Sequence, residues 1–143
     1  MTALDYLGRP EALRREIARE KDRIESLREL CTRVSARLRK VTVRSSPDPA
    51  RMQDLIARIA DGEQELRRLE EDLRQALADT ALYISSLPDE RMIRVLELRY
   101  LEGLSWEQTS RVMGYCRAGV FRYQQEALLL LPPPPADPEE TFA

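Results

Sequence analysis

The sequence predicts an all-α protein: an N-terminal antiparallel helical hairpin of coiled-coil character, followed by a compact three-helix unit. Three observations predict it. A seven-residue apolar repeat runs from Leu13 for about four heptads and resumes after a break. Helix-start and helix-stop residues punctuate residues 88–131 at the spacing of short helices. Glycine is scarce, with 5 in 143 residues, and four of the 9 prolines stand together at Pro132–Pro135. The frequent turns of a sandwich or barrel are therefore missing.

The repeat places the first helix. Ile17, Ile24, Cys31 and Leu38 hold one seam position, and Leu13, Leu27, Val34 and Val41 the other, with Glu20 the one polar interruption. Arg and Glu fill the flanks, as in paired helices. Pro10 suits the first turn, where no N–H is needed. The pattern stops at VTVRSSPDPA, whose prolines, serines and β-branched residues predict a loop. Asp48 then caps a second helix and Pro49 opens it. That helix is predicted to reach about Ser86, with Met52, Ile59, Leu66 and Leu73 in one row and Leu55, Leu69, Ala76 and Tyr83 in the other. Gly62 falls on the seam and weakens it by roughly 1 kcal/mol against alanine. Similar lengths and a short loop predict an antiparallel hairpin. A pair this small buries little, so it is expected to pack on the C-terminal part or on another chain.

Leu87-Pro88 marks the end of the hairpin. Pro88, Asp89 and Glu90 read as the proline-led, acidic first turn of a third helix. It continues through Met92, Val95, Leu96, Leu98 and Leu101 and stops at Gly103, a left-handed cap. Ser105, with Gln108 three residues on, is a capping box for a fourth helix that ends at Gly114. Cys116 or Arg117 starts the last helix, which runs through Val120, Tyr123 and Ala127 to Leu131. The remaining PPPPADPEETFA, residues 132–143, disfavours helix and reads as a disordered, acidic, proline-rich tail.

Composition excludes most chemistry. There is no histidine, hence no His-ligated zinc, no Ser-His-Asp triad and no Cys-His dyad. The two cysteines, Cys31 and Cys116, cannot build a site of three or four thiolates. No phosphate-binding glycine loop or nucleophile elbow occurs. The expectation is a protein without enzymatic activity, cofactor or metal. No signal peptide and no apolar run of about 20 residues is visible, so a soluble chain with free thiols in a reducing cytoplasm is expected. The net charge of -2 hides a division. Residues 1–44 carry 12 Lys/Arg against 7 Asp/Glu, while residues 45–90 carry 5 against 11. A basic helix beside an acidic one reads as a mutually attracting pair.

The block from Leu87 to Leu131 contains a candidate helix-turn-helix. A scaffold helix and a recognition helix joined by a tight turn need a residue that tolerates positive φ, and Gly114 stands there. Ser110 is the small side chain where the two helices cross, and Met113, Tyr115, Val120 and Tyr123 sit at offsets that hold them from inside. The outer face of the last helix then presents Arg117, Ala118, Phe121, Arg122 and Gln125. Arg pairs with guanine or phosphate, Gln with adenine, and Phe touches the thymine methyl. Trp106 and Tyr100 read as packing residues.

At these residues a resemblance becomes specific. LELRYLEGLSWEQTSRVMGYCRAGVFRYQQEAL resembles the promoter-reading C-terminal domain, region 4, of sigma-70 family factors, through Leu96, Arg99, Tyr100, Gly103, Ser105, Gly114, Val120, Ala127 and Leu128. The chain as a whole resembles the small phage and prophage transcriptional regulators of the ArpU/RinA type, with Val43, Ser46 and Pro47 as their Ser-Pro connector. It departs from the sigma pattern at Gln108-Thr109-Ser110, Cys116, Ala118 and Gly119. The resemblance implies a DNA-binding transcriptional regulator in a bacterial host, with residues 1–87 for oligomerisation or partner binding and residues 88–131 as the DNA-binding domain. Its implied partners are double-stranded DNA, a second copy (a dimer favoured over larger oligomers) and RNA polymerase as a further candidate. Two alternatives stand beside it: a DNA-packaging protein like a small terminase subunit, and a helical adaptor that binds no DNA.

Overall fold

In the computed structural model of the chain the described residues are 1–40 and 49–135, with the backbone alone for 38–40. The expected loop after Lys40, the Asp48 cap, the Ser-Pro connector and the acidic tail beyond Pro135 lie outside them. The described structure is helical, with α1 Ala3–Leu7, α2 Arg9–Lys40, α3 Pro49–Ile84, α4 Glu90–Leu96, α5 Trp106–Met113 and α6 Arg117–Leu130, and no strand among the described residues. No helix among them is long and apolar enough to cross a membrane.

By packing, the chain forms two compact units, Leu13–Asp72 and Met1–Ala12 together with residues from Leu73 onward. The packing boundary therefore cuts through α2 and α3, whereas the helical path breaks after Ile84. In Leu13–Asp72 the middle of α2 meets the middle of α3, the pairing an antiparallel hairpin requires: Ile24 lies against Gly62, and Arg28 ion-pairs with Glu63. The row with Ile17 and Ile24 is buried, as is the row with Leu55, Gly62 and Leu69. The alternate rows, Leu13, Leu27 and Val34 on α2 and Met52, Ile59 and Leu66 on α3, are half-buried. The seam read from the sequence is thus present, but two helices cover only one of its two rows well. Cys31 is half-buried on it, with a free thiol. Arg28–Glu63 crosses between the helices, whereas Arg58–Asp54 and Arg68 with Glu65 and Asp72 close within α3.

The other unit starts with a helix the heptad reading leaves out. Thr2 caps α1, accepting from the Asp5 amide at 3.1 Å while Asp5 accepts from the Thr2 amide at 3.1 Å, the reciprocal pair of a capping box. α1 delivers Tyr6 and Leu7 to a core with Tyr83, Ile84, Leu87, Met92, Leu96, Ala127 and Leu131. The Tyr6 and Tyr83 rings lie 4.9 Å apart, and the Arg9 guanidinium stands 4.0 Å over Tyr6. The Tyr83 hydroxyl donates to the Pro132 carbonyl. The proline run, expected to be part of a free tail, therefore begins with a docked residue.

Several element ends differ from the expectation. α3 stops at Ile84, where the Ser85 and Ser86 hydroxyls donate to the Leu82 and Tyr83 carbonyls at 2.6 and 2.8 Å. Pro88 lies outside the next helix; Asp89 is its N-cap, accepting from the Arg91 amide at 2.8 Å, and Glu90 its first residue. α6 ends at Leu130 because Leu131 precedes proline and is held extended, at ψ 137°. After α4 the backbone widens into a π-helical turn, Glu97–Leu101.

Candidate nucleic-acid interface

The chain reverses direction between α4 and α5 at Gly103, whose φ of 71° belongs to the left-handed region. The Arg99 guanidinium clamps this corner. It donates to the Leu104 carbonyl at 2.6 Å and stacks 4.1 Å over the Trp106 ring. Ser105 then opens α5 with the predicted capping box, its hydroxyl accepting from the Gln108 amide at 3.1 Å and the Gln108 side chain from the Ser105 amide at 3.0 Å. Thr109 is fully buried and donates to the Ser105 carbonyl at 2.8 Å.

Gly114 ends α5 at φ 74°. No L-residue with a side chain adopts that turn without strain. Ser110, expected only to be small, also donates its hydroxyl to the Tyr115 carbonyl and ties the turn from within. Cys116 caps α6 through its sulfur, which accepts from the Gly119 amide at 3.4 Å.

The inner face of α6 is Val120, Gln124, Ala127 and Leu131, at the 4-3-4 spacing of a buried helical stripe. Of the residues expected to hold the two helices together, Val120 is fully buried, and Met113 and Tyr123 are half-buried. Tyr115 is the correction: it is 38% exposed and leans on Tyr123, with ring centroids 5.6 Å apart. Its position just past the αL glycine swings the ring to the rim. Gln124 is a buried polar residue that the sequence reading missed, although it shares the spacing of Val120 and Ala127. Burial pushes the Tyr100 phenol above its ordinary range, opposed by the nearby Arg99 and by the hydrogen bond with Gln124.

The five predicted reading residues, Arg117, Ala118, Phe121, Arg122 and Gln125, are all exposed. Arg117 and Arg122 make no ion pair among the described residues. Arginines of α4 and α5 are engaged: Arg111 with Glu107 at 2.8 Å, and Arg94 with Glu97 and Glu102, each at 3.6 Å. Arg91 stands 5.5 Å over the Tyr123 ring, and Tyr123, a Tyr115 hydrogen bond and Asp89 hold its charge more firmly than usual. Phe121 meets Trp106 edge-on at 5.5 Å, so the ring read as packing belongs to the rim of the exposed face. A convex helix with two uncompensated cations, an amide and an exposed aromatic can lie along an anionic, grooved polymer. Comparison with family models, with curated proteins and with solved structures returns no match.

Proposed function

We propose that the chain is a DNA-binding transcriptional regulator of phage or prophage type, acting in the bacterial cytoplasm and reading the major groove with the helix that starts after Cys116. The observation that carries this reading is the outer face of α6. It presents Arg117, Ala118, Phe121, Arg122 and Gln125 to solvent, across a Gly114 turn from α5. Five residues at roughly 100° each put Arg117 and Arg122 about 140° apart around the helix, flanking the other three. Two free cations are few, so modest affinity is expected unless a second copy or a bound RNA polymerase adds contacts. The half-buried rows of the hairpin, from Leu13 to Val34 and from Met52 to Leu66, support pairing with a second copy.

The test is a fluorescence titration of wild type, Arg117→Ala, Arg122→Ala and the double variant on duplexes selected from a random pool and on scrambled controls. Arg122→Ala is expected to cost about 1–3 kcal/mol and to relax preference at one base pair. Arg117→Ala, nearer the helix start, is expected to weaken all sequences alike, as loss of a phosphate contact does. A double variant that binds both duplex types like wild type refutes the reading and leaves the adaptor alternative in its place. Light scattering then separates a dimer from the large ring of a packaging protein.

A further inference from the structure

Beside the start of α6 lies an open hollow lined by Trp106, Arg117, Ala118 and Phe121. Its wall is rigid. The Trp106 ring is backed by the Arg99 guanidinium at 4.1 Å, which the Leu104 carbonyl holds in turn at 2.6 Å, and Phe121 braces it edge-on. The hollow is open where the side chain is small: Ala118 contributes only one methyl to it. Phe121 keeps 49% of its surface in water although it is large and apolar. Among the described residues Arg117 makes no ion pair. The surface is thus apolar on its floor and cationic at its edge, a combination that protein packing alone leaves unexplained.

We propose that this hollow receives the 5-methyl group of a thymine in the major groove, with Phe121, Trp106 and Ala118 as its wall and Arg117 holding the backbone beside it. The inference rests on the proposed reading of duplex DNA by α6 and adds what that helix prefers there. The Arg117 cation at the edge favours an anionic partner. Among the groups that the four base pairs display in the major groove, the thymine methyl is the apolar one. Cytosine and guanine would place polar edges against an apolar wall and leave them without partners. Ala118, a small residue that departs from the sigma pattern, is on this account what makes room for the methyl.

The experiment uses the full chain and a duplex enriched from a random pool. Each thymidine is replaced in turn by deoxyuridine, which keeps every hydrogen-bonding group and removes only the methyl. One position per binding site is expected to lose roughly fourfold in affinity, the worth of one methyl leaving water. Phe121→Ala, at a half-exposed position where folding is retained, is expected to bind thymidine and deoxyuridine duplexes equally at that position. Two results overturn the inference while leaving DNA reading intact: wild type indifferent to every replacement, or Phe121→Ala keeping the wild-type ratio. A random pool that yields no enriched duplex removes the reading itself, and the inference with it.

Discussion

Gly62→Ala decides whether the seam contains a defect or a fitted notch. On an isolated helix, alanine would gain about 1 kcal/mol over glycine. In the hairpin, the added carbon would stand 2.9 Å from Cγ1 and 3.4 Å from Cδ1 of Ile24, and 3.2 Å from Oε1 of Glu20. The Glu20 oxygen is the end of a flexible chain and can move aside. Cγ1 of Ile24 cannot: it is one bond from Cβ, on a residue only 3% exposed. Overpacking of this kind costs about 1–3 kcal/mol, so a net loss of about 1 kcal/mol is expected. In an Ile24→Ala background both crowding carbons are gone, and the same substitution should then stabilise by about 1 kcal/mol. Ile24→Ala alone costs about 2–4 kcal/mol. Urea unfolding of the four proteins, followed by helical circular dichroism, closes the cycle with a coupling of about 2 kcal/mol. Gly62→Ala stabilising both backgrounds equally would refute the close approach.

Cys116→Ser replaces a sulfur acceptor by a stronger oxygen one at the cap of α6 and should stabilise the chain by about 0.5–1 kcal/mol in thermal melts; no gain would mean the cap bond to Gly119 is not formed. Gly114→Ala meets no atom within 4 Å, so its cost is backbone strain alone at φ 74°, about 1–2 kcal/mol, and Gly114→Asn should recover part of it. Tyr83→Phe removes the bond to Pro132 and should cost about 1 kcal/mol. Burial and the neighbouring Tyr6 raise the Tyr83 phenol above its ordinary value, so the folded state holds this proton more tightly than the unfolded chain. That contribution is fully present below the ordinary phenol value of about 10 and is lost as pH rises through the higher folded one. Stability measured from pH 8 to 12 should fall less steeply for Tyr83→Phe than for wild type; identical profiles would refute this role.

Much of the architecture was legible because it is local. The capping box of Ser105 and Gln108, the positive φ of Gly103 and Gly114, and the exposure of the five residues on α6 depend on groups within about four positions of one another, and a periodic pattern records them. The Thr2–Asp5 capping box was equally local; reading the heptads alone passed over it.

Other features depend on residues that only folding brings together. Tyr83 and Pro132, 49 positions apart, dock the first proline of the run. Gly62 read as a weak point because propensity scales describe a helix in water, and it is a fitted contact because Ile24 of α2 occupies the space its side chain would take. Trp106 packs as read, against Arg99 and Phe121, but those contacts place it at the rim of an open hollow, which the sequence did not show. By itself the sequence determined that the segments from Arg9 onward are helical and which face of α6 stays in water, since these follow from apolar periodicity along one segment, while α1 and several helix ends differ from what it predicted. The tertiary structure alone decided that α1 and the end of α3 join the core around α4 and α6, because those contacts close between residues distant in the chain and leave no periodic trace within any one segment.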